Sequence, residues 1–242
     1  MRRIRFGTMR AAAAALVVWA AFSGATAQAE VAAADPVDVA MRQCLARRDR
    51  SSPAGQIQCM DEARQQWQTV MDGAYRRLLE GAPADDRRGW QESQRRWLAW
   101  RNDEAQLLKA VYDTTRGTMY AMAGADMQLQ PVRDRALALR AAADRAVQPA
   151  AAQAGARDPA HRVRACEQDA ACEHAQFDMN RYYQKLRRKM PAHSAATLVR
   201  AQRAWVAFRD ATTPLVGEDG RIDLIGARVA TMKRLSETVG NR

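Results

Sequence analysis

The chain has 242 residues and a formal net charge of +11. Four arginines fall within its first ten residues, ahead of an apolar run too short for a bilayer, so residues 30–242 carry +7 and contain no run apolar enough to span a membrane. An exported chain of this kind argues against nucleic acid as a partner, and leaves its positive charge to anionic envelope polymers or simply to solubility.

The first predicted element is a secretory signal over residues 1–29. Arg2, Arg3, Arg5 and Arg10 precede the run A-A-A-A-A-L-V-V-W-A-A-F, and small residues at Ala27 and Ala29 predict cleavage after Ala29, which delivers the chain to the periplasm. No Cys stands at the cleavage point, where Glu30 follows Ala29, so a lipid anchor is not indicated. Residues 30–38 read as a flexible start. The first helical repeat is expected over 39–147. In it Met60, Ala63, Trp67, Met71, Ala74 and Leu78 recur at steps of three and four, which is one face of a helix. Gly81 to Pro83 interrupt that pattern, and Trp90, Trp97, Trp100 and Leu107 mark a second helix facing the first. Asp85 stands where an N-cap oxygen is wanted, and a third helix is expected from about Pro131 to Val147. Q-P-A-A-A-Q-A-G-A-R-D-P-A, residues 148–160, has little to bury and reads as a linker.

Residues 161–242 repeat the plan. A shift of 108 positions brings Met71, Tyr75, Leu78, Pro83, Gln94, Arg95, Trp97 and Arg101 onto Met179, Tyr183, Leu186, Pro191, Gln202, Arg203, Trp205 and Arg209 without a gap. The chain is therefore a tandem duplication. Cys172, Ala175, Met179, Tyr182 and Leu186 give the first helix of the second copy, and Leu198, Ala201, Trp205 and Phe208 the second, with Ser194 as its expected N-cap. A last helix is expected over Ile222 to Val239. No stretch alternates as a strand does. The expected fold is all-α: two small modules, each an αα-hairpin plus a further helix. Modules of this size benefit from covalent staples in an oxidising compartment. Cys44, Cys59, Cys166 and Cys172 allow three pairings, of which the duplication favours Cys44 with Cys59 and Cys166 with Cys172.

Little in the chain points to catalysis or to a cofactor. His161, Cys166, Cys172 and His174 are close in sequence but match no common zinc spacing, so no metal is expected. No nucleophile elbow, metalloprotease helix or phosphate-cradling loop occurs. The doublets Asp61–Glu62 and Asp103–Glu104 are adjacent on helices and point apart, as solvated carboxylates do, so no enzyme is expected. What stands out is the repeated phrase. Gln94, Trp97 and Arg101 share one helical face, as do Gln202, Trp205 and Arg209, with Asp210 beside the last. Each Trp is expected to pack under the facing helix while Gln and Arg tie down loop carbonyls or pair with an acid. An arginine held beside an aromatic can also receive a partner's carboxylate.

The second copy, with Cys166, Cys172, Met179, Asn180, Tyr183 and the run Ala201, Gln202, Arg203, Ala204, Trp205, Phe208, Arg209, Asp210, resembles the LprI-type lysozyme-inhibitor N-terminal domain family. The first copy resembles it through Cys44, Cys59, Met71, Asp72, Tyr75, Gln94, Arg95, Trp97, Trp100, Arg101 and Asn102. Where relatives carry a further Cys after Arg-Asp, this chain has Thr212 and Thr213. The resemblance implies an exported helical protein that binds lysozyme or another envelope protein. Its expected mechanism is occlusion of the glycan cleft by a helical hairpin or its loop, near Pro83 or Pro191. The rival expectation is a module binding peptidoglycan or another anionic polymer through Arg181, Lys185, Arg187, Arg188 and Lys189. Residues 160–242 hold 15 basic against 9 acidic side chains, whereas residues 30–159 hold 19 against 18. A basic lysozyme is therefore expected to prefer the first copy, where Asp85, Asp86 and Glu92 offer acid.

Overall fold

A computed structural model describes residues 34–147 and 163–241, which fold as six helices and no strands. They are α1 (Pro36–Leu45), α2 (Pro53–Gly81), α3 (Ala84–Tyr112), α4 (Thr118–Ala146), α5 (Ala170–Lys189) and α6 (Ala195–Thr238). The predicted signal and linker lie outside the described residues.

Each helix starts and stops for a local reason. The Asp35 carboxylate accepts from the Val37 amide with Pro36 in the first turn, so α1 begins inside the stretch expected to be a flexible start. Ser52 likewise caps α2 by accepting from Gly55, and Pro53 follows it. Neither Asp85 nor Ser194 caps a helix by its side chain. Pro83 takes the cap position of α3, which leaves Asp85 in the first turn against Arg88. Ser194 is already helical because the 3-10 turn Ala192–Ser194 runs straight into α6. The third helix of the first repeat is longer than expected, for α4 starts at Thr118 and carries Pro131 in its interior. Pro131 marks a missing amide there rather than a start, and the Ala, Met and Gln residues ahead of it are good helix formers. In α6, Gly217 adopts φ +75° and divides the helix into an N-terminal half, 195–216, and a C-terminal half, 218–238. Each repeat is thus an αα-hairpin plus a further helix.

The staples are Cys44–Cys59, which ties α1 to the first turns of α2, and Cys166–Cys172, which ties a 3-10 turn to the start of α5. Asp38 of α1 receives Arg133 of α4 at 2.6 Å, and that guanidinium holds the Asp38 carboxyl below its usual range. α2 packs along α4, and α5 along α6. α3 packs along the N-terminal half of α6, so the second helices of the two repeats lie against each other. They run antiparallel. Ser93 meets Thr212 at one end, while Leu107, Leu108 and Val111 share a core with Leu198 and Ala201 at the other. One core therefore joins Trp67, Met71, Trp90 and Trp97 of the first repeat to Cys172, Met179, Trp205 and Phe208 of the second.

Candidate functional site

The repeated phrase builds the same small structure twice. Gln94 donates Nε2 to the Met71 sulfur at 3.9 Å and accepts Arg135 Nε at 2.9 Å. Gln202 donates Nε2 to the Met179 sulfur at 3.4 Å and accepts Arg228 Nε at 3.1 Å. Each glutamine thus bridges the first helix of its repeat to an arginine on the third. Trp97 and Trp205 are buried in the core. Arg101 lies 5.4 Å from the Trp97 ring and donates to Gln68 Oε1 at 2.6 Å, while Arg209 lies 5.3 Å from the Trp205 ring and pairs with Asp210 at 2.7 Å. Arg95 and Arg203 face solvent, Arg95 pairing with Glu92. The phrase is therefore mostly framework. Arg101 is held by a side-chain amide of α2 in place of the expected loop carbonyl.

The contacts that join the repeats centre on the aromatic of the same phrase, the residue just before Arg101 and Arg209. Trp100 and Phe208, equivalent at the shift of 108, stack with centroids 5.4 Å apart and planes 2° from parallel. Around this stack the two repeats are related by an approximate twofold. Arg228 lies 6.0 Å from the Trp100 ring, and Arg135 lies 5.3 Å from the Phe208 ring. Each arginine thus reaches across to the aromatic of the other repeat. The relation breaks beside the two arginines, where Glu104 answers to Thr212 and Ser93 to Ala201. Glu104 is buried, accepts Trp100 Nε1 at 3.1 Å and pairs with Arg228 at 2.7 Å. Glu104 is therefore no solvated carboxylate, since its helical face meets the second repeat. Its equivalent is Thr212, whose hydroxyl meets Ser93 Oγ at 2.7 Å, and Ser93 in turn accepts Arg135 Nη2 at 3.0 Å. Among the described residues Arg135 has no acid partner, and burial pushes its pKa down to about 9, which still leaves it charged at neutral pH.

α4 and the C-terminal half of α6 flank the stack and leave a cleft of about 1500 Å³ between them. Its lining follows the approximate twofold, with Pro131 opposite Leu224, Arg135 opposite Arg228 and Ala138 opposite Thr231. Asp134 and Asp223 lie exposed along its walls, and the surrounding protein raises the Asp134 carboxyl above its usual range by desolvation. A 108-residue shift does not align the arginines, because they stand 93 apart. The first repeat spends 15 additional residues between its second and third helices, and that insertion hides the correspondence. The usable signal was a lone Arg on an apolar stripe of each third helix.

The two turns proposed to reach a partner lie at opposite ends of the α3–α6 pair, since a 29-residue helix extends about 43 Å. The Pro83 end carries exposed Glu80 and Asp85 together with Arg76, Arg77, Arg87 and Arg88. The Pro191 end carries Arg187, Arg188, Lys189 and His193 and no acid between them. Of the five basic residues expected to hold a polymer, three are engaged within the chain. Arg181 donates to the Tyr182 hydroxyl and meets Asp178, Lys185 lies 6.0 Å from the Tyr182 ring, and Lys189 donates to the Ser236 carbonyl. Arg187 and Arg188 are exposed in the last turn of α5, where cations complement the helix dipole. Among the described residues, no group of three or more His, Cys, Asp or Glu could hold a metal ion, and no helix is long and apolar enough to cross a membrane.

Comparison with known proteins agrees with this duplicated architecture. The family model described as Lysozyme inhibitor LprI matches twice, over residues 44–139 and 150–237. Among solved structures, the chain is similar to the crystal structure of an uncharacterized protein from Burkholderia thailandensis, at 73% identity and a TM-score of 0.82. The match covers 86% of this chain and 100% of the other. No curated protein matches.

Proposed function

This chain belongs to the LprI lysozyme-inhibitor family in both of its repeats, and we propose from that membership that it is a periplasmic inhibitor that blocks the glycan cleft of a lysozyme with the turn at Pro83. The family and the two disulfides fit an extracytoplasmic protein, and the signal read over residues 1–29 would export it. The protein would act by occupying space and would catalyse nothing.

One observation carries the choice of surface. The two turns stand at opposite ends of the α3–α6 pair, so a single lysozyme meets only one, and residues 80–88 around Pro83 carry the exposed carboxylates Glu80 and Asp85 whereas residues 187–193 around Pro191 carry none. The Pro83 end is also braced, because Pro83 joins the C-cap of α2 to the start of α3 and the C-cap residue, Ala82, is buried. Electrostatic complementarity raises the association rate and selects the face, whereas the short-range fit of the turn sets the lifetime of the complex.

The test is turnover of labelled peptidoglycan by lysozyme in the presence of the oxidised protein, residues 30–242. Near-stoichiometric inhibition of the enzyme, independent of the amount of substrate, is expected. The double reversal Glu80→Lys/Asp85→Lys should weaken it about tenfold or more by slowing association. Reversal at the other end, Arg187→Glu/Arg188→Glu, should leave it intact. Protection that tracks substrate and disappears in salt would sink the inhibitor reading and favour polymer binding through α5 instead.

A further inference from the structure

We propose that the cleft between the repeats binds an organic carboxylate with an apolar body, the carboxylate seated on Arg135 and the body packed between Trp90, Phe208 and Leu215. The lining of the cleft reaches Ala82 and Asp86 beside the Pro83 turn, but the proposed contacts use neither residue and do not depend on lysozyme binding.

The inference starts from the broken twofold. Both repeats bury an arginine from the third helix against the stacked pair, and both arginines line the same cleft. Arg228 is neutralised by Glu104 at 2.7 Å. Arg135, 4% exposed, has only neutral partners among the described residues: Nε donates to Gln94, Nη2 donates to Ser93, and the rings of Trp90 and Phe208 lie 5.9 and 5.3 Å away. Its Nη1 makes no hydrogen bond among the described residues and is absent from the sealed, unsatisfied atoms. That nitrogen is the one left for a ligand. A buried guanidinium without a counter-charge is unfavourable, and ring faces offset only part of the cost. The place its counter-charge would take is marked by the other repeat. Thr212 stands where Glu104 does, and Ser93, whose equivalent is Ala201, fills the space that lets Glu104 reach across.

The cleft also selects the kind of carboxylate. Its volume, about 1500 Å³, exceeds what one carboxylate group needs, and aromatic and aliphatic side chains form most of the wall. Four carboxylates and four arginines line the cleft, so it has no excess positive charge to draw in a densely anionic polymer. A ligand with a single carboxylate and a carbon body needs no such excess and removes apolar surface from water at both Trp90 and Phe208.

The probe is octanoate, titrated into oxidised residues 30–242 by calorimetry and by tryptophan fluorescence, with octanol as the uncharged counterpart. Octanoate should bind at least about tenfold more tightly than octanol, as a charge-assisted hydrogen bond in a buried site requires. Arg135→Met should bring octanoate down to the octanol level. Ser93→Ala/Thr212→Glu rebuilds the Glu104 arrangement beside Arg135, and should both raise the thermal midpoint and weaken octanoate by about tenfold or more. Equal affinity for octanoate and octanol overturns the proposal. So does undiminished octanoate binding in the folded Ser93→Ala/Thr212→Glu protein, which decides the matter even if Arg135→Met fails to fold.

Discussion

Glu104 and Thr212 occupy the same place in the two repeats, and they leave two buried arginines in different electrostatic states. The Glu104–Arg228 pair is sealed from solvent, its Arg228 side chain being 0% exposed, so removing one charge strands the other in a medium that cannot solvate it. Glu104→Gln should therefore cost about 3–5 kcal/mol in urea unfolding. Glu104→Gln combined with Arg228→Met should recover much of that loss, because no unpaired charge then remains. A loss below about 1 kcal/mol for Glu104→Gln would place the pair in water after all. Glu104 reads in the sequence as a solvated carboxylate, and Arg228 is marked there only by its place on an apolar stripe. Glu104 sits in a doublet that looks like ordinary surface, and what buries it is a helix that starts 91 residues further along the chain.

At the scale of elements, the staples fasten chain ends that packing alone holds weakly. Cys44–Cys59 spans 15 residues and Cys166–Cys172 spans 6, so loop-closure entropy predicts unequal contributions. Replacing the first pair by Ala should cost about 3 kcal/mol and the second about 2, measured by urea unfolding without reductant. The reverse order would show that native strain or residual structure, rather than chain entropy, sets the values. The helices themselves were largely legible, because the three-and-four spacing of Met71, Leu78, Trp97 and their equivalents sets both the period and the buried face. The start of α4 was not. Pro131 looks like a first-turn residue by local rules, and only packing of α4 along α2 shows that the helix continues through it. The side-chain caps assigned to Asp85 and Ser194 failed for a similar reason. The turns before them settle the backbone conformation, and a cap needs an extended residue at that point.

For the molecule as a whole, α3 gives its apolar face to the other repeat as well as to its own. Trp90, Trp97 and Trp100 share a core with Trp205 and Phe208. Neither repeat can keep that surface dry by itself, so calorimetry should record one unfolding transition with equal calorimetric and van't Hoff enthalpies. Two resolved transitions would mean that the shared core contributes little. The pairing of α3 with α6 was invisible to a reading that took each hairpin by itself, since internal similarity reveals equivalent helices and is silent about which of them meet.

The approximate twofold around Trp100 and Phe208 is the geometry of a homodimer written into one polypeptide. In a dimer of identical chains, one codon fixes both members of every equivalent pair. A Glu at the Glu104 position would close both halves, and a Thr there would leave two buried cations. Joining the halves in one gene lifts that restriction. One half can keep the ion pair that secures the assembly, while the other is free to drift toward recognition, and the departure from symmetry at Thr212 is the trace left by that freedom.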